Sequence, residues 1–244
     1  MTPAPRLVLV PGLNNTHAVW DGVVAALGGS VQCSVLDCPA LETVEAVADA
    51  LLAQLPERFW LAGFSFGGYV ALAMLERAPQ RVAGLALVNS SARADTEAQR
   101  AARAQSIAMA QAGGHEAMVA AQAPVVFHPA SLSNAALMHA RGDMVRAYGS
   151  ERFVAHLRAC AQRPDRTELL ARSTCPLLVV AAADDRVVPT AAQKALAASL
   201  PRAHYTEIAD AGHMLPMEQP QAVAAALQAW LEAQAESNPA ETHP

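Results

Sequence analysis

The stretch Phe59-Trp60-Leu61-Ala62-Gly63-Phe64-Ser65-Phe66-Gly67-Gly68 decides the fold. Its first four residues are a short apolar run that reads as a buried strand. A helical pattern follows over Gly68–Arg77. A strand that turns at once into a helix forces the central serine into strained backbone geometry. The residues two before and two after it must then approach closely, and glycine at 63 and 67 removes the side chains that would clash. The Ser65 hydroxyl stands above the sheet edge, near the positive end of the following helix, where developing negative charge is favoured. G-x-S-x-G spacing alone also fits a packing turn with a serine helix cap, so the rest of the chain has to decide between the two.

Working outward, further β-like runs lie at Leu7–Val10, Val31–Leu36, Val82–Val88, Leu177–Ala181 and His204–Ile208. Most are continuously apolar, as expected of strands buried on both faces. Helical patterns separate them, at about Ala18–Leu27, Thr43–Leu55, Thr190–Leu200 and Gln221–Ala235. This alternation predicts an α/β fold, a mostly parallel six-stranded sheet with helices on both faces. One interval breaks the rhythm. A crossover needs a single helix, yet residues 90–173 are long, rich in Ala, Gln, Arg and Met, and punctuated by Gly113-Gly114, Pro124 and His128-Pro129. The expectation is a core formed by 1–89 and 174–235, a helical lid inserted at 90–173, and a disordered polar tail at 236–244.

Composition narrows the functional classes. The 244 residues suffice for a substantial core. The formal charge of −5, with arginines scattered along the chain, gives no reason to expect nucleic acid. No apolar stretch approaches the roughly 20 residues of a transmembrane helix, and the N-terminal apolar run is too short for a secretory signal. Cys33, Cys38, Cys160 and Cys175 show neither a disulfide framework nor C-x-x-C, and read as small apolar residues in or near the core. A cytoplasmic location is expected. The eight histidines show no H-x-H or H-E-x-x-H spacing and no Cys/His pairing, so no metal site is expected.

A serine nucleophile needs a base within hydrogen-bond reach and an acid to orient that base. Asp184 and Asp185 follow the strand Leu177–Ala181, and His213 follows the strand His204–Ile208. All sit at carboxyl ends of strands, the same edge as Ser65, where ligands collect in open α/β sheets. Asp210, three residues before His213, is a rival orienter but reads better as an exposed loop charge.

At Gly63–Gly68, Asp185–Pro189 and Gly212–Pro220 the chain resembles the α/β-hydrolase superfamily, over nearly its whole length. The resemblance implies Ser65 as nucleophile, Asp185 as acid and His213 as base. The aspartate of the acid motif usually precedes a proline by four positions, and Asp185 with Pro189 fits that register; Asp184 is then a solvated neighbour. The resemblance also implies an oxyanion hole made by the backbone N–H groups of Phe66 and Leu13. Relatives usually carry His-Gly where this chain has Pro11-Gly12, so Asn14, Asn15 or His17 would brace the loop, or else merely cap the next helix. Other departures are Ala182 in place of the glycine usual before the acid, the apolar loop Asp37-Cys38-Pro39-Ala40-Leu41, and the absence of two N-terminal strands.

The implied function is hydrolysis of small to medium carboxylic esters through an acyl-enzyme, with no cofactor. A thioesterase, lactonase or acyltransferase would use the same triad, and a ligand-binding receptor is the non-enzyme alternative. A haloalkane dehalogenase is excluded, since it needs Asp at position 65. The partner is a small ester or thioester, and the chain is a monomer or homodimer. Met109, Met118, Val125, Phe127, Met138, Met144 and Phe153 either line an acyl pocket or, more simply, form core. His115, His128 and His139 read as surface residues. The spacing of the arginines predicts no cluster for a strongly acidic substrate.

Overall fold

The computed structural model describes residues 5–237. Its six strands are β1 (Arg6–Val10), β2 (Gln32–Val35), β3 (Phe59–Phe64), β4 (Val82–Val88), β5 (Leu177–Ala182) and β6 (Ala203–Ile208). They form one all-parallel sheet in the order β2-β1-β3-β4-β5-β6. The central strands are buried on both faces, and their side chains alternate between two apolar layers. Leu7 and Leu9 of β1 point to one layer with Phe64, Val88 and Val180. Val8 and Val10 point to the other with Leu61, Leu85 and Leu87. The edge strands β2 and β6 are only partly buried, and there polar residues such as Gln32, Ser34 and Glu207 interrupt the apolar run.

The helices are α1 (Asp21–Leu27), α2 (Val44–Leu52), α3 (Phe66–Arg77), α4 (Glu97–Met109), α5 (His115–Ala121), α6 (Ala123–Val126), α7 (Ala135–Tyr148), α8 (Ser150–Gln162), α9 (Thr167–Arg172), α10 (Thr190–Ala198), α11 (Leu215–Glu218) and α12 (Pro220–Ser237). Helices α2 and α3 supply the layer that contains Val8, and α1 and α12 the layer that contains Leu7. Residues 236 and 237 still belong to α12; the remainder of the expected disordered tail lies outside the described residues.

Helices α4–α9 make up the long insertion between β4 and β5. Its first kink falls at Gly113, whose φ of +87° is open to glycine. Its two ends meet: Arg166 N–H donates to Ala92 O at 2.7 Å. Its later part is not a separate layer, because Ala159 and Cys160 of α8 and Leu170 of α9 sit in the same apolar cluster as α2 and α3. Among the described residues no helix is long and apolar enough to cross a membrane.

Strand order reverses direction beside β1: the chain goes from β1 to β2 on one side and then to β3 on the other. The loops leaving β1 and β3 therefore diverge and open a crevice at their carboxyl ends. Leu13 lies on the first of these loops and Ser65 on the second.

Candidate functional site

Ser65 occupies the turn between β3 and α3 with φ 52° and ψ −114°, a conformation that costs a non-glycine residue of order 1–3 kcal/mol. Close packing enforces it. A Cβ on Gly63 would lie 2.4 Å from Gly67 O, and one on Gly67 would lie 2.2 Å from Val10 O. The N-terminus of α3 is thereby pressed against the end of β1, which sets Phe66 beside the loop that carries Leu13. Two bonds fix the Ser65 peptide: Ser65 N–H donates to Val88 O at 2.9 Å, and Ser90 Oγ donates to Ser65 O at 2.8 Å.

The structure brings Ser65, His213 and Asp185 into contact. His213 Nε2 lies 2.9 Å from Ser65 Oγ, and Nδ1 lies 3.0 and 3.1 Å from the two Asp185 oxygens. A carboxylate only accepts, so Nδ1 carries the proton in the neutral ring and Nε2 is left to accept from the serine hydroxyl. Asp185 is buried, and its Oδ1 also accepts the Val187 and Val188 N–H groups at 2.8 and 2.9 Å. Gln193 Nε2 donates to its Oδ2 at 3.2 Å. The His213 ring lies 5.4 Å from the Phe64 ring. Asp184 and Asp210 are both exposed, and neither bonds His213.

Four supports of this arrangement carry no signal in the sequence reading. Asn89, fully buried at φ 44°, donates from Nδ2 to Gly212 O at 3.1 Å and His213 O at 3.0 Å, while its Oδ1 accepts Ala182 N–H at 2.8 Å. It ties the histidine loop to the acid-bearing strand. Glu218 accepts Gly212 N–H at 2.9 Å with one oxygen, and His128 N–H and Ser131 Oγ–H with the other. Ser90 and Gln193 are the remaining two. The only hint of Asn89 is that a polar side chain directly ends an apolar strand.

The loop after β1 is held from the insertion. Asn14 has φ 59°, and its Oδ1 accepts from His115 Nε2 at 2.8 Å. Arg141 Nη1 donates to Asn14 O at 2.5 Å and Asn15 Oδ1 at 2.8 Å. Asn15 Nδ2 closes back onto Leu13 O at 2.8 Å. His17 faces Asp37 instead, at 3.1 Å. Phe66 is the first residue of α3, so its N–H is one of those without a partner inside the helix. Behind it His156 stacks on the Phe66 ring at 4.5 Å. His156 Nε2–H donates to Pro39 O at 2.7 Å, and its Nδ1 accepts from Tyr148 OH. Burial lowers the His156 pKa to about 4, so the ring is neutral.

A cleft of about 440 Å³ is lined by Ser65, His213, Leu13 and Phe66, together with Val125, Val126, Met214 and Cys160. A second cavity of about 490 Å³ within the insertion shares Val126 and Arg141 with it and is otherwise mainly apolar, with Val119, Phe127, Met138 and Val145. Met144 is instead core, Phe153 and Met118 pack in a cluster under α4, and Met109 is exposed.

Two sequence expectations are corrected. His115 is buried, not on the surface, because the Phe153 ring and Asn14 enclose it. The expected lack of an arginine cluster also fails: Arg103, Arg141 and Arg186 all line the cleft. They are far apart in the chain, and only folding of the insertion over the sheet edge gathers them. Among the described residues no group of His, Cys, Asp or Glu is arranged to hold a metal ion.

Comparisons with known proteins agree with this architecture. A protein assigned provisionally as carbamate hydrolase RutD, from Klebsiella pneumoniae, is 29% identical over 228 residues, 86% of this chain and 85% of its own. A pimeloyl-[acyl-carrier protein] methyl ester esterase from Nitrosomonas europaea is 34% identical over a shorter stretch of 95 residues, 36% of this chain and 38% of its own. Among solved structures, a thermophilic esterase from Thermogutta terrifontis with malate bound superposes with TM-score 0.87 at 27% identity, over 96% of this chain and 91% of that one. The model of the alpha/beta hydrolase family matches residues 7–226, and with that coverage the chain belongs to the alpha/beta hydrolase family.

Proposed function

We propose that the protein is a serine hydrolase that cleaves small to medium carboxylic esters through an acyl-enzyme. The observation that carries this is the unbroken relay from Asp185 through His213 to Ser65, with contacts of 3.0 and 2.9 Å at the mouth of a cleft. Ser65 Oγ attacks the carbonyl carbon while His213 Nε2 takes its proton, and Asp185 stabilises the imidazolium that forms. The oxyanion is held by the N–H groups of Leu13 and Phe66; loss of one such donor costs about 3–4 kcal/mol in related chemistry. His213 then returns the proton to the leaving oxygen, and a water activated by the same ring releases the acid. The insertion acts as a lid over this cleft, and the four unpaired thiols fit a cytoplasmic setting.

The relatives named above as an esterase and a carbamate hydrolase suit the same attack on a carbonyl bearing a heteroatom leaving group. Thioesters and lactones would meet the same machinery. A ligand receptor has no use for a complete relay. The test is labelling by a fluorophosphonate probe together with p-nitrophenyl butyrate turnover. Wild type should show both and Ser65→Ala neither, while keeping the same thermal midpoint. Turnover retained in Ser65→Ala would reject the assignment.

A further inference from the structure

On a chain of net charge −5 the charged side chains that line the cleft are all cationic. Arg103, Arg141 and Arg186 line it, and no aspartate or glutamate does. Two of the three are accounted for. Arg103 is bonded to buried Asp95, which also binds Arg163 at 2.6 Å. Arg186 is exposed, and its Nη1 lies 3.5 Å from Pro124 O.

Arg141 is different. Its Nη1 is used on Asn14 O and Asn15 Oδ1, both neutral acceptors. Among the described residues its Nε and Nη2 have no acceptor, and no carboxylate pairs with the guanidinium. Burial lowers its pKa to about 10, which still leaves it cationic at neutral pH. Arg141 is half-buried, and a partly desolvated cation without a counter-ion destabilises the folded chain. Bracing a loop requires only a neutral donor, so the loop contacts do not explain the charge. The free edge of the guanidinium, Nε with Nη2, has the geometry that takes a carboxylate by two parallel N–H···O bonds.

We propose that Arg141 anchors a carboxylate on the substrate, so that the esters cleaved are half-esters of short dicarboxylic acids. This rests on the serine hydrolase reading above. The carboxylate belongs to the acyl half, because that half stays on Ser65 through both steps, and a contact made to it assists both. A cleft of about 440 Å³ limits the diacid to a short one.

The experiment compares monomethyl and dimethyl esters of succinate, glutarate and adipate on the full chain, by titration of released acid. Wild type should favour at least one monoester over its diester by about tenfold or more in kcat/KM. A charge-assisted bond is worth a factor of roughly 10–150, so Arg141→Gln should lose about that factor on the monoester, mainly through KM. On the diester it should lose only the smaller factor that follows from loosening the Asn14 loop. Arg141→Lys, which keeps the charge but not the fork, should recover part of the preference. A purely bracing role predicts equal losses on both esters in the variants, and that outcome overturns the proposal; so does a wild-type preference for the diesters. The companion readout is the thermal midpoint with free glutarate, which should rise in wild type and not in Arg141→Gln. No rise in wild type counts against the anchor. Absence of fluorophosphonate labelling with a glutarate-induced rise would sink the hydrolase reading and leave the carboxylate site standing.

Discussion

Replacing Asn89 by alanine tests how the His213 loop is held in place. The side chain is fully buried and makes three hydrogen bonds, to Gly212 O, His213 O and Ala182 N–H. Alanine leaves one buried N–H and two buried carbonyls without this partner. An orphaned N–H costs about 1–3 kcal/mol, and each carbonyl, with a second lone pair, somewhat less. Asn89 also sits at φ 44°, which asparagine tolerates better than alanine by about 1 kcal/mol. The sum is about 3–8 kcal/mol, a large part of the roughly 5–15 kcal/mol that stabilises an ordinary domain. Asn89→Gly removes the same bonds but not the backbone tolerance, so it should be about 1 kcal/mol less damaging than Asn89→Ala. Urea unfolding at constant m gives the stabilities, and p-nitrophenyl butyrate turnover reports whether His213 still meets Ser65. A loss under about 1 kcal/mol with unchanged kcat would refute the claim that Asn89 positions the histidine loop.

Other perturbations probe the remaining parts. Asp185→Asn should lower kcat by about 10⁴-fold with little change in fold, because an amide in that place no longer fixes the proton on Nδ1; a pH–rate profile and circular dichroism check this, and a loss under tenfold would count against the role. Gly67→Ala puts a Cβ 2.2 Å from Val10 O, so it should cost at least about 1–3 kcal/mol and separate Phe66 from the Leu13 loop; an unaltered unfolding midpoint would contradict the packing argument. His156, with its pKa held at about 4 by burial against 6.5 in the unfolded chain, takes up its proton more readily when unfolded. Its contribution is therefore intact above pH 6.5 and is lost as pH falls towards 4, by up to about 3 kcal/mol. His156→Gln should flatten the stability profile across that window, and an equal slope in both proteins would defeat the idea.

The sheet is legible in the sequence because four of its strands are buried on both faces and so read as unbroken apolar runs. Ser65, Asp185 and His213 are legible because each follows such a run directly, which places all three at one edge whatever the details of the loops. Asn89, Ser90, Gln193 and Glu218 are not. Asn89, Ser90 and Glu218 reach main-chain atoms remote in sequence, namely Gly212 O, Ser65 O and His128 N–H, and a bond to a backbone atom leaves no trace in the partner's identity; Gln193 reaches the Asp185 carboxylate only through the fold of the loop between them. His115 and the arginines fail for a related reason. Helices of the insertion are mostly half-exposed, so their apolar periodicity does not say which polar residue turns inward.

The insertion also supports the loop that opens with Pro11-Gly12. A proline cannot brace the loop through a side-chain hydrogen bond, and Asn14 stands in a left-handed conformation that must be supported from outside. The support comes from α5 through His115 and from α7 through Arg141, both bonded to Asn14. Phe66, on the other side of the cleft, is backed by His156 of α8. The two N–H groups proposed to hold the oxyanion thus stand on a loop and a helix start that the insertion supports from opposite sides, and α8 is itself rooted in the core by Ala159 and Cys160. A displacement of α5 and α7 would then disturb the oxyanion side of the cleft while leaving Asp185, His213 and Ser65 in contact, since those three hang from β3, β5 and the loop after β6. On this arrangement, mutations at His115 should lower kcat on every ester alike without altering labelling of Ser65 at saturating probe. Mutations at Arg141 should in addition separate charged from neutral substrates, and that separation is the measurable difference between a residue that supports the loop and one that also meets the substrate.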